Sequence, residues 1–209
     1  MRIWPVRCFS AVSWMPTVIA GVVAIALVAA TRVDAADPPA RIGASADAAV
    51  APSHRTPRAL YVTARQAHAV LQANSDVLLI DVRTPAEVLF SGIATAAARN
   101  IPYLMIEEGY AYDPPARRYK LTANADFPKS IALLLEERKL ASQATMILYC
   151  SVGERSAKAA ALLAASGYSR VYTMVDGFDG DATGDGWKRS GLPWTYEMTE
   201  EQAYHSPTM

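Results

Sequence analysis

The stretch CSVGERS, Cys150 to Ser156, places a cysteine where an apolar run, MILYC, gives way to a short turn and an alanine-rich helical pattern. A helix that starts there leaves its first backbone N–H groups without helical partners, at the positive end of its dipole. Arg155 adds a full charge. Such a place favours the thiolate, the nucleophilic form of cysteine, and it also cradles anions. The residues alone leave two roles open for Cys150, a reactive thiol in an anion cradle or a small buried hydrophobe. Gly153 and Arg155 beside it favour the first, because neither has much use in packing.

The elements around the cysteine follow from pattern. ALYV reads as a short strand, and TARQAHAVLQA as a helix capped by Thr63 with Gln66; His68 falls at its surface or core edge. VLLIDVR is a continuous apolar run, as in a strand buried on both faces of a parallel sheet. TPAEVLF restarts a helix with Thr84 as cap and Pro85 in its first turn. RNIPY, ATMILYC and RVYTMV read as further strands, FPKSIALLLEERKL and GERSAKAAALLAAS as helices, the latter closed by Gly167. Residues 103–126, rich in Tyr and Pro, read as a long excursion outside the core. Strands alternating with helices predict an α/β domain, about five parallel strands with helices on both faces. In such a sheet ligands gather at the C-terminal strand ends, where Cys150 stands.

The first residues read as an export signal. Arg2 and Arg7 precede an apolar core from Thr17 to Ala30, and Val33 and Ala35 fit a cleavage site. A span needs about 20 apolar residues, and Ser13, Pro16 and Thr17 interrupt that length; an uncleaved anchor is the alternative. The expected organisation is a signal peptide over 1–35, a flexible linker over 36–56 that includes a solvated His54, one domain over 57–196, and a polar, frayed tail over 197–209. Cleavage would leave 17 basic and 19 acidic residues, a net charge of −2. It would also remove Cys8 and leave Cys150 alone, unable to form an internal disulfide. The balanced charge gives no reason to expect nucleic acid. Asp179, Asp181, Thr183 and Asp185 alternate as in a calcium loop, but Ser190 stands where the closing glutamate would be; the stretch reads as a solvated turn, and no metal is expected.

The chain resembles the rhodanese-family sulfurtransferases. CSVGERS matches that family's six-residue active-site loop at Cys150, Gly153 and Arg155; LLIDVRTPAEVLFSG resembles its first signature, a strand ending in Asp-Val-Arg with a Glu and an aromatic after it. NIPY and GFDGDATGDGWKRSGLPW resemble the segments that follow, in the same order. The resemblance implies a catalytic Cys150 that takes a sulfane sulfur from a donor such as thiosulfate, holds it as a persulfide, and hands it to a thiol, cyanide-like or protein acceptor. It implies substrate binding by Ser151, Val152, Gly153, Glu154 and Arg155, structural support from Asp81 and Arg83, and no cofactor; the leader, for its part, implies a periplasmic or secreted setting. Membrane association follows only if the leader stays attached. Ser151 stands where many relatives have an arginine, no histidine stands in SGIATAAAR, and the 103–126 excursion and the DGDATGD loop are longer than the pattern needs. Two other readings contend. A non-catalytic binding or carrier module would share the fold; a dual-specificity phosphatase would need five residues between cysteine and arginine, and here there are four.

Overall fold

A computed structural model describes residues 50–208. The expected leader, Cys8 and most of the linker lie outside the described residues. Among the described residues no helix is long and apolar enough to cross a membrane.

Three runs of four residues, β2 (Leu78–Asp81), β9 (Met146–Tyr149) and β10 (Val171–Met174), are buried along their whole length. Their continuous apolar character has that cause: both faces of the sheet are covered. With β1 (Tyr61–Val62) and β4 (Ala97–Asn100) they form one parallel sheet in the order β1-β10-β9-β2-β4. Alternation along β2 sends Leu78 and Ile80 to one face and Leu79 to the other. The first face packs on α3 (Phe127–Glu137) through Ile131 and Leu134, and on α4 (Glu154–Ala165) through Ala159, Ala160 and Leu163. The second packs on α1 (Ala64–Ala73), α2 (Pro85–Ser91) and α5 (Gly186–Arg189) through Ala67, Val88 and Trp187. Thr63 with Gln66 and Thr84 with Glu87 each make a reciprocal capping box, which fixes where α1 and α2 begin.

Three regions differ from the sequence expectation. The 103–126 excursion is ordered as a long hairpin: β5 (Leu104–Ile106) pairs antiparallel with β8 (Leu121–Ala123), and β6 (Tyr112–Asp113) with β7 (Arg118–Tyr119) beyond it. The segment before the domain is not a solvated linker throughout. Val50 is buried, and His54 ends a 3-10 turn over Pro52–His54 with 7 % of its surface exposed, because that turn packs on α4. The polar tail is not frayed. Gln202, in a 3-10 turn over Glu200–Gln202, donates from Nε2 to the Ala97 carbonyl at 2.9 Å, and Ser206 and Thr208 donate to Asp126. Gln202 holds this tail at the edge strand β4, Ser206 and Thr208 hold it at the start of α3, and Tyr204 alone packs on the core, so no apolar period announced it. A two-residue pair, β3 (Ile93–Ala94) with β11 (Trp194–Thr195), adds a small antiparallel ribbon too short to leave a period in sequence.

Candidate active site

Cys150 follows β9 directly, and α4 begins four residues later at Glu154. The turn between them is forced into shape by two glycines. Gly153 has φ +100°, and a Cβ there would overlap the Val175 carbonyl oxygen. Gly177 has φ +63° and lies against the Ser151 carbonyl in the same way, so that no side chain fits either position. Phe178 and Asp179 then donate their N–H groups to the carbonyls of Cys150 and Ser151 at 2.8 and 2.9 Å. The 176–179 segment thus braces the cysteine turn from behind.

The sulfur sits at the start of α4. The Gly153 N–H donates to Cys150 Sγ at 3.2 Å. The thiol lies 3.8 Å from the Ser156 hydroxyl, which donates to the Gly153 carbonyl and shares a hydrogen bond with Thr173 at 2.7 Å. Cys150 is 1 % exposed. An anionic sulfur here would meet backbone donors and the positive end of a helix.

The charge beside the loop is already paired. Arg155 grips Glu87 with both terminal nitrogens, one at 2.7 Å from Oε2 and the other on Oε1. Ser151 Oγ donates to Glu87 Oε1 at 3.0 Å and accepts from Arg155 at 3.1 Å. Thr84 completes the cluster, donating to Glu87 from its backbone and its hydroxyl. Burial pushes the Glu87 carboxyl up, but the hydrogen bonds and charge of Arg155, with Thr84, outweigh it and bring it down to about 2. Burial likewise works against the charge on Arg155, and Glu87 more than restores it.

A family model described as the rhodanese-like domain matches residues 63–182, a span that holds this loop and the sheet behind it. The chain belongs to the rhodanese-like domain family. An uncharacterized protein of Rickettsia prowazekii is 27% identical over 135 residues, covering 65% of this chain and 96% of that one. A protein named sulfurtransferase from Allochromatium vinosum is 29% identical over 123 residues, 59% of this chain and 82% of its own. Among solved structures, a crystal structure of an M. tuberculosis protein is 28% identical, with a TM-score of 0.47, covering 66% of this chain and 97% of that one.

Within this rhodanese-like domain the residues singled out by sequence fall into three places. Cys150, Ser151, Val152 and Gly153 make the turn itself. Glu154 opens α4, and its carboxylate reaches one helical turn ahead to Lys158 at 2.7 Å. Arg155 faces Glu87. Asp81 and Arg83 form a fully buried ion pair at 2.6 Å, with Arg83 also donating to Ser91 and the Gly92 carbonyl and lying 4.1 Å from the Phe178 ring centroid. Burial opposes the Arg83 charge, and Asp81 raises its pKa well past the ordinary arginine value. The pair joins the end of β2 to the brace segment.

Sequence reasoning did not assign Glu87 to the site. Its signal was present in the capping-box spacing from Thr84, but its partner lies 68 residues away. The Ser156–Thr173 hydroxyl pair gave no signal at all. In the acidic loop, Asp181 accepts from the backbone and hydroxyl of Thr183, and Arg189 donates to the carbonyls of Asp181 and Gly184. Among the described residues no group of three His, Cys, Asp or Glu side chains is arranged to hold a metal.

A cavity of about 490 Å3 opens in front of the turn. Ser151 and Arg155 lie in its wall, α2 forms one side, and the β5–β8 hairpin forms the other.

Proposed function

We propose that this protein is a sulfurtransferase working through a persulfide on Cys150. The observation that carries the reading is the Gly153 N–H on Cys150 Sγ at the start of α4. The name of the Allochromatium relative supports the same reaction class. Cys150 as thiolate attacks the outer sulfur of a donor such as thiosulfate. A new S–S bond forms, the donor's S–S bond breaks, and sulfite leaves with the electron pair. The loop N–H groups stabilise the anionic persulfide as an oxyanion hole does. An acceptor thiol or cyanide then takes the sulfur. The reading is tested by mass measurement after thiosulfate treatment. The wild type should gain one sulfur atom and Cys150→Ser none, with the fold retained by circular dichroism; uptake by the serine variant would sink the mechanism.

The burial of Cys150 favours a second reading, a binding or carrier module that turns nothing over. Steady-state assay with cyanide as acceptor separates the two, since the module would show no catalytic turnover.

The leader pattern supports an exported, periplasmic or secreted setting. N-terminal sequencing of protein from its native host should find a start near Ala36 or Asp37; a start at Met1 with membrane-bound protein would favour the anchor.

A further inference from the structure

We propose that the cavity between α2 and the β5–β8 hairpin binds the organic body of an apolar thiol, which serves as the sulfur acceptor. The proposal rests on the sulfur-transfer reading above and names the substrate class for it. Four observations carry it.

The first is size. A cavity of about 490 Å3 falls within the roughly 300–1,000 Å3 of small-molecule sites, and a cyanide or thiosulfate ion would leave most of it empty. The second is lining. Ile106 and Leu121 of the hairpin face the cavity half-buried, and beside them stand Tyr119, 58% exposed, and Phe90 of α2, 80% exposed. Two aromatic rings left in water around a concavity mark a place where something apolar docks. The third is charge. Glu87 and Arg155 cancel each other in the wall, and the cavity's other two charged residues are Arg118 and Asp179, one of each sign. The site thus offers no net positive charge to a dianion and little to oppose a neutral body. The fourth is position. Ser151 belongs to the turn that Cys150 opens and Arg155 to the first turn of α4 behind it, so a molecule held here lies against the nucleophile's own loop.

The step is a thiol exchange with no net oxidation. The acceptor thiolate, R–S⁻, attacks the outer sulfur of Cys150–S–SH. The product R–S–SH forms as the inner S–S bond breaks, and that bond's electron pair stays on Cys150 Sγ as the thiolate. The hairpin selects the R group.

The test compares 2-naphthalenethiol with 2-mercaptoethanol as acceptors for the wild-type protein. The KM for the aromatic thiol should be lower by about tenfold or more. The double variant F90S/Y119S, changed only at exposed side chains, should bring the two KM values to within about threefold of each other. Ala86→Trp, which fills the cavity from α2, should do the same. A binding arm is independent of turnover: 2-naphthol, which has the same body and no sulfur, should bind the Cys150→Ser protein by calorimetry and bind F90S/Y119S more weakly by about tenfold. Absence of 2-naphthol binding, or binding unchanged in both cavity variants, overturns the cavity assignment even where Cys150 takes up sulfur. Binding of 2-naphthol with no sulfur taken up by Cys150 from any donor overturns the acceptor role and the sulfur-transfer reading together.

Discussion

The family resemblance gives Arg155 two roles, orienting a donor or tying the loop down, and here its guanidinium is engaged by Glu87 and by Ser151 of the loop. One carboxylate, accepting from Arg155, Ser151 and Thr84, absorbs the positive charge that the loop would otherwise present. Thiosulfate, a dianion, gains little more than backbone donors from such a loop, which predicts a high KM with a measurable maximal rate. Ser151→Arg adds one positive charge and should lower that KM by about tenfold, the worth of one charge-assisted hydrogen bond. Arg155→Ala acts in the opposite direction twice over, since it removes a cation and leaves the Glu87 carboxylate beside the loop without its counter-charge. Its KM for thiosulfate should rise. Steady-state kinetics with cyanide as acceptor reads both. An unchanged constant in Ser151→Arg would mean that thiosulfate is not the donor, or that its charge is held from outside the loop.

At the scale of elements, α2 is tied to the cysteine turn through its own capping residue. Glu87 closes the box with Thr84 and reaches across to Arg155, so the same carboxylate starts a helix and fastens a loop. Held at about 2 against an ordinary 4.5, it contributes stability that is complete above about pH 4.5 and is lost as the pH falls toward about 2. Glu87→Gln should therefore be less stable than the wild type near neutrality, and the difference should shrink between about pH 5 and about pH 3. Urea unfolding midpoints for the two proteins measure it; parallel loss across that window would show that this pairing is not what the acid removes. The helix and its cap were legible because Thr84, Pro85 and Glu87 are neighbours in sequence. The tie to Arg155 was not, because nothing local distinguishes a solvated arginine from one that meets a carboxylate across the sheet. The hairpin over the cavity was legible only as an excursion: its strands are two or three residues long, with no fully buried side chain and no alternation.

At the scale of the whole molecule, the sheet and its helices were readable because β2, β9 and β10 are buried on both faces and so carry unbroken apolar runs. The tail was not, because Gln202, Ser206 and Thr208 attach it by polar side chains. Deleting the chain from Thr199 onward should cost roughly 1–3 kcal/mol in urea unfolding, from the lost hydrogen bonds. It should also promote self-association by size-exclusion chromatography, because β4 is an edge strand and its cover would be gone. An unchanged midpoint and a single monomer peak would assign the tail no such role. The strand order carries one more consequence, for the timing of synthesis. Tyr61 and Val62 of β1 pair with Thr173 and Met174 of β10, and the cysteine turn packs against Val175 and Gly177. Contacts this distant along the chain form slowly and late. A ribosome that has released everything up to Cys150 has still made neither the partner of the first strand nor the brace of the turn. The thiol gains its cradle only when nearly the whole domain has been translated.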